Sequence, residues 1–415
     1  MNAKALNNLS RDIFSYKSNN NQKIKVCSAD GKSRDISRDE LISAGRLATA
    51  EYFGRIANAT KNNTIKYLSK VEDYASFSRN TWVETVVFCA AQANKAIGKA
   101  PYSNMKEVEN DLGLYKNPIF LNALQSITQE VITPLLPAVM DGITDRLVTW
   151  DKGRIGETKL VDILSNDFFV FDDDSWGSVS SKPYQYLYKS QIAVTPKPST
   201  AKTKIKWYQD IVDGEAGRYY AAFARGAASK MYAMTLGEFN KAVANSKYMP
   251  SGMVIDGFSL DNWNQALMQA QALNGVSRNQ LMALGSLAGL SKILPTVGTD
   301  GAVAGIQGEI GTEFVKNGFL ANVAGVDLIE AGLTVVPGTQ NYEPKFLGLD
   351  SATKKNVYVM AKLGYAPMVG VIAEGSPITI TFTPRETADM TIDIEETLIF
   401  DIKPAFSSKI INIQI

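Results

Sequence analysis

The chemistry open to this 415-residue chain is bounded first by what it lacks, for it contains no histidine. Without imidazole there is no Ser-His or Cys-His nucleophile pair, and the commonest general base and transition-metal ligand are missing. Its two cysteines, Cys27 and Cys89, lie far apart and in no paired motif. A structural zinc site is therefore out of reach, and reduced thiols in a cytosolic setting are expected. Carboxylate, lysine or tyrosine chemistry remains. Its acidic candidates are the run Asp172-Asp173-Asp174 and Glu215. The triplet lacks the alternating ligands and glycine of a calcium loop and reads as a solvated turn. Gly31-Lys32-Ser33 ends like a P-loop, but the required first glycine falls on Val26. The glycine-spaced stretch from Gly298 to Gly311 has no lysine-serine pair and reads as a loop, not a phosphate cradle. No catalytic centre, cofactor or metal is expected.

Composition points the same way. Apolar residues at 45%, charged residues at 20% and a formal net charge of +1 are ordinary globular values, with no pull toward nucleic acid or membrane. The N-terminus lacks the apolar stretch of a signal peptide, and no apolar run of about 20 residues exists to span a membrane. The length is enough for two or three domains.

The elements that must position any site fall in a clear order. Residues 1 to about 36 are polar and asparagine-rich and read as an extended arm. Lys4, Arg11, Lys17, Lys23 and Lys25 make it mildly basic, a candidate for touching a polyanion. Ser37 and Glu40 form a capping box that opens a helix, with further helices expected near 62–75 and 78–98. Asn117-Pro118 starts another helix, broken near Pro134 and Pro137. After Trp150 the period changes to strands, at 158–163 and 168–171, with alternation in Tyr184, Tyr186 and Tyr188. Residues 185–210 read as two strands around a tip at 195–202, with Ile205 and Trp207 alternating against Lys204 and Lys206.

A helix from Asp213 to Asn245 dominates the middle. Tyr220, Phe223, Ala227, Met231 and Met234 recur at steps of three or four and define its packing face. Gly214, Gly217, Gly226 and Gly237 lower its propensity, so they are expected to be close-packing points against strands from the C-terminus. Then come a helix over 259–274 stopped by Gly275, a strand at 281–285 and a short helix at 287–294. The tail is strand-rich, with Ile378/Ile380/Phe382, Ile392/Ile394 and Ile411/Ile413/Ile415 in alternation.

This order resembles the major capsid (coat) proteins of tailed double-stranded DNA phages, with the Hong Kong 97-like fold. The resemblance is carried by IGETKLVDIL at 155–164, similar to the entry of that family's extended loop, and by the 213–245 helix, similar to its spine helix. It rests further on GFLANVAGVDLIEAGLTVVPG at 318–338 and on the strands of 356–415 that close on Pro404-Ala405-Phe406. It covers roughly residues 115–415 and implies an α+β fold. The implied layout is an N-terminal arm and helical region (1–112), helices leading into the core fold (113–150) and an extended hairpin loop (151–212). A spine helix of a peripheral domain (213–250), an axial domain (251–355) and C-terminal strands returning to the peripheral domain (356–415) complete it. Some relatives lose an N-terminal scaffolding segment; with Met1 at the start of this chain, no such removal is expected.

The implied function is structural. Copies would form the hexamers and pentamers of an icosahedral shell around packaged DNA, assembled in the cytoplasm of a host bacterium. Scaffolding, portal and decoration proteins are the implied partners, with weak, non-specific, salt-sensitive DNA contact and no membrane. The hairpin would clasp a neighbouring subunit through Gln191, Thr195, Lys197, Lys202, Lys204, Lys206 and Trp207, so deleting 191–202 is expected to spare the fold and stop assembly. One kind of relative crosslinks a loop lysine to a neighbour's asparagine; no partner for these lysines is evident, and no crosslink is expected. Two other readings remain: an encapsulin-like nanocompartment shell of the same fold, and a soluble enzyme using paired carboxylates.

Overall fold

The expected capping box opens the fold. In a computed structural model of the chain, the Ser37 backbone N–H donates to Glu40 Oε2 at 2.8 Å and Glu40 N–H donates to Ser37 Oγ at 3.3 Å. The structure describes residues 23–29, 31–61, 66–100, 102, 105–111, 113–133, 142–164, 189–207, 214–244, 251–293, 322–337, 344–349, 355–362, 368–374, 377–385, 390–404 and 410–414.

In chain order, β1 (Ile24–Cys27) and β2 (Ser33–Ile36) form an antiparallel hairpin, followed by α1 (Arg38–Lys61), α2 (Lys66–Ala96), α3 (Met105–Asn110) and α4 (Pro118–Ile132). Next come α5 (Gly142–Leu147), β3 (Val148–Gly153), β4 (Lys159–Leu164), β5 (Lys189–Val194), β6 (Lys197–Lys206) and the long α6 (Ala216–Val243). The second half holds β7 (Val254–Asp256), α7 (Leu260–Asn274), β8 (Leu281–Gly285), α8 (Leu287–Leu290), β9 (Asn322–Val323) and β10 (Val326–Glu330). It continues through β11 (Thr334–Pro337), β12 (Pro344–Leu347), β13 (Val357–Ala361), β14 (Met368–Ala373), β15 (Ile378–Pro384), β16 (Thr391–Pro404) and β17 (Ile411–Gln414).

Several expectations hold because local chemistry decides them. Asn117 Oδ1 accepts from Ile119 N–H at 2.9 Å, with Pro118 in the first turn of α4, where a missing N–H costs nothing. Ser259 caps α7, and Gly275, at φ +62°, ends it in the left-handed conformation that glycine adopts without strain. Others fail. The two helices expected at 62–75 and 78–98 are one helix, α2, because 66–96 contains no proline or glycine to break it. The N-terminal segment from 24 to 36 is the β1–β2 hairpin, not an extended arm. Val26, Cys27 and Ile36 are buried against α2, and Arg34 Nε reaches Glu84 Oε1 at 2.8 Å.

Two sheets share the body. One runs β15-β16-β14-β3, with β3 parallel to β14 and β6 pairing along β16. The other runs β7-β17-β13-β8-β10-β9. The central strands β8 and β13 are buried at every position, so both faces must be covered. Leu281, Ala283, Val357 and Val359 pack under α7. The alternate residues Met282, Leu284, Tyr358 and Met360 face the main core, where Phe239 of α6 meets Tyr358 edge-on at 5.1 Å. The tail therefore does not return to one unit. β14, β15 and β16 build the first sheet, while β13 and β17 complete the sheet of β8 and β10, correcting the expectation that 356–415 forms a single block. The N-terminal helices also share the main core, through Trp82, Phe88, Leu124 and Tyr220.

α6 is 28 residues long, about 42 Å at 1.5 Å per residue. Tyr220, Ala224, Ala227, Met231, Leu236 and Phe239 form its buried seam, with Phe223 and Met234 on its flank. Its glycines are not uniform close-packing points. A Cβ on Gly237 would meet nothing within 4 Å, and one on Gly226 would stand 3.7 Å from Glu396 Oε2.

Candidate assembly interface

β4 and β5 pair with each other, Lys159 opposite Val194 through Leu164 opposite Lys189, as a sheet of two strands. At its root the two legs are joined to each other and Lys159 ties them to β3. Thr158 Oγ1 lies 2.8 Å from Thr195 Oγ1, and Lys159 Nζ reaches Asp151 Oδ2 at 2.6 Å and donates to the Lys152 carbonyl at 2.9 Å. Leu160 stands exposed on it, and Ile155 in the turn that precedes it. An isolated two-stranded ribbon is marginal in water, and its unpaired edges are a template for another chain. Gln191 and Thr195 belong to this arm and its root.

The pairing expected within 185–210 does not form. β5 and β6 are joined through Thr195-Pro196 yet take different partners, β4 and β16. The connecting residues offer no Asn-Gly or Gly-led pair for a tight hairpin turn, and Pro196 has no N–H to give. β16 instead presents a matching ladder, from Lys206 opposite Thr391 to Lys197 opposite Phe400.

That ladder consumes most of the residues assigned to the intermolecular clasp. On one face Lys202 Nζ meets Glu395 Oε2 at 3.1 Å, Lys204 stands opposite Asp393, and the Thr200 and Thr397 hydroxyls lie 3.3 Å apart. On the other face Ile205 is buried, and just past the strand end Trp207 has 0% exposure. Trp207 packs edge-on to Phe120 at 5.7 Å and beside Tyr115 at 6.3 Å, and its backbone N–H donates to the Met390 carbonyl at 3.0 Å. Lys197, Lys202, Lys204 and Lys206 thus line the chain's own sheet, and Trp207 is buried in the chain's own core. Deleting 191–202 would remove part of β5 and half of the β6 ladder, so that deletion attacks the fold itself.

Of the basic N-terminal residues, Lys23 pairs with Glu40 at 3.5 Å and Lys25 stands opposite Asp35 in the β1–β2 hairpin. Both have acidic neighbours within the subunit. Lys4, Arg11 and Lys17 lie outside the described residues, as do Asp172, Asp173, Asp174 and the 298–311 stretch. Among the described residues no cluster of three or more Cys, Asp or Glu side chains is placed to hold a metal, and no helix is long and apolar enough to cross a membrane.

Sequence reasoning passed over three positions. β11 and β12 form a ribbon on α6, tied by Ser229 Oγ to Thr334 Oγ1 at 2.9 Å, Tyr232 OH donating to the Gly332 carbonyl at 2.9 Å and Asn240 Nδ2 donating to the Gly348 carbonyl at 3.0 Å. Thr334 and Leu347 face the helix. By strand alternation Leu333 and Phe346 face away, at 70% and 69% exposure. Glu396 is the third. It occupies a core-facing place in the alternation Ile392, Ile394, Glu396, Leu398 and is 6% exposed. The period of two was the signal, for it puts a carboxylate in an apolar row.

No protein-family profile matches the sequence, and no curated protein matches it. Solved structures do. A chain of the mature capsid of bacteriophage PhiM1 is 13% identical, with a TM-score of 0.42, over 65% of this chain and 85% of that one. The capsid of cyanophage P-SCSP1u gives 10% identity and a TM-score of 0.43 over 65% and 86%. The holo-SrpI encapsulin complex of Synechococcus elongatus PCC 7942 gives 10% and 0.33 over 65% and 85%.

Proposed function

We propose that this chain is the structural subunit of a closed protein shell, a major capsid protein whose β4–β5 arm lies on a neighbouring copy. The observation that carries the reading is the arm: two strands, pinned at Thr158 and Thr195, that pair with nothing but each other among the described residues. Such a ribbon gains most of its order by burying its edges on another surface. The outward Leu333 and Phe346 offer a second apolar contact. Many such modest contacts, repeated by symmetry, close a shell.

In this reading hexamers and pentamers of the chain enclose double-stranded DNA in a virion assembled in bacterial cytoplasm, with scaffolding, portal and decoration proteins as further partners. The arm's role changes little if the cargo is protein, as in an encapsulin-like compartment. Particles imaged from infected and uninfected cells separate the two, since shells from uninfected cells would remove the phage assignment.

The test of the shell itself uses the geometry of the root. Thr158 and Thr195 are adjacent, so residues 160–193 can be replaced by a short Gly/Ser linker without stretching the body. The full chain is expected to form shells, tubes or capsomers by negative-stain microscopy. The linker variant is expected to keep the folded subunit's circular dichroism and lose those assemblies. Normal shells from the linker variant, or a strictly monomeric full chain at high concentration, would refute the reading.

A further inference from the structure

A groove of about 530 Å3 opens between β6, β16 and the first half of α6, lined in part by Lys204, Ile205, Arg218, Phe223 and Ile394, with Glu396 in its floor. The groove is bounded by the strand that leaves the arm and by the helix that follows that strand. Glu396 is buried, Oε1 has no hydrogen-bond partner, and Oε2 points at Gly226, where the helix has no side chain. An ionised carboxylate in that position would be largely stripped of water and would have no hydrogen-bond donor at Oε1, which disfavours the charged form. The same group as a neutral acid fits.

We propose that Glu396 is a proton-operated latch: neutral, it lets the first half of α6 rest on β16 and β6, and ionised, it draws water from the groove in to the carboxylate and loosens that half-helix together with the root of the arm. The charged groups around it do not replace the proton. α6 brings Glu215, Arg218 and Tyr219 to the groove, whereas Lys202 and Lys204 border it on β6 with side chains that alternate to the other face of the sheet. Lys202 is engaged with Glu395 on the opposite face of the sheet, and Asp393 on that face takes Arg385. β15 places Ile380 opposite Glu396 and has no ionisable side chain. Burial alone pushes the Glu396 carboxyl up to about 8. The latch therefore changes state in mildly alkaline solution, with the closed form favoured below that range.

The latch concerns the subunit itself and does not depend on the shell reading. Amide hydrogen exchange of the full chain, corrected for the intrinsic pH dependence of exchange, tests it at about pH 6 and about pH 9, on either side of the Glu396 transition. Protection within 216–226 and 199–206 is expected to fall by up to roughly a hundredfold at the higher pH, about a factor of ten for each of the two pH units between 6 and the folded value of about 8, while α7 is unchanged. Glu396→Gln is expected to hold the same protection at both pH values, and Glu396→Leu supplies a second uncharged variant should the amide fail to fold. Three outcomes overturn the proposal: equal protection of the native chain at both pH values, an equal loss in the uncharged variants, or a loss that extends to α7.

Discussion

Lys202 and Glu395 face each other across the β6–β16 ladder, Nζ 3.1 Å from Oε2. The pair joins the strand that leaves the arm to β16 of the same chain. Both side chains reach solvent, so their direct attraction is small, about 0.2–1 kcal/mol. Lys202→Ala is therefore expected to lower unfolding stability by no more than about 0.5 kcal/mol. Lys202→Glu sets like charges opposite each other and is expected to cost about 1 kcal/mol, recovered in the swapped pair with Glu395→Lys. Urea denaturation of the four proteins checks this.

Trp207 is the anchor of the same strand. Its indole is enclosed by Phe120 and Tyr115, so Trp207→Ala is expected to destabilise the subunit by about 3–5 kcal/mol. Were Trp207 instead a contact for a neighbour, the free subunit would keep its stability. Denaturant midpoints of unassembled protein distinguish the two.

Gly370 is required by a close approach. A Cβ there would stand 2.5 Å from two ring carbons of Trp150 and 2.8 Å from Val148, in the parallel pairing of β3 with β14. Gly370→Ala is expected to cost about 1–3 kcal/mol, from overpacking against a ring that cannot retreat. Gly237→Ala, with open space around its Cβ, is expected to be neutral or stabilising by up to about 1 kcal/mol. Thermal melts of both variants test the contrast.

Glu396 gives stability a pH dependence with a definite sign. Its folded pKa is raised above its unfolded value, so between about 4.5 and 8 the unfolded chain binds fewer protons than the folded one. Its contribution is then full below the unfolded pKa and falls as pH rises through that window, by at most about 1.4 kcal/mol per pH unit. Glu396→Gln is expected to be more stable than the native chain near pH 8 and to lose this slope. Denaturation curves across pH 5 to 9 measure it, and parallel native and variant profiles would contradict it.

Leu333 and Phe346 face away from α6 at the outer side of the β11–β12 ribbon. Replacing both with serine is expected to change subunit stability by less than about 0.5 kcal/mol per site, because neither side chain is buried in the subunit. Self-association is expected to weaken, as read by sedimentation velocity and particle counts. Unchanged assembly would remove this face from the proposed interface.

The sequence by itself determined whatever depends on neighbours a few residues away. The caps at Ser37, Asn117 and Ser259, the stop at Gly275, the part of the α6 seam at Tyr220, Ala227 and Met231, and the alternation of β15, β16 and β17 are all set by short-range spacing and backbone preference. The absence of histidine bounded the chemistry before any fold was considered. Tertiary structure alone decided which strand pairs with which. Alternation says that Lys204 and Ile205 point to opposite faces; only the complementary row on β16 says that β6 lies there and not beside β5. Pairing of distant strands depends on side chains nearly two hundred positions apart, a term no local window contains. The same distance hid Glu396, whose burial exists only once α6 crosses β16 at Gly226.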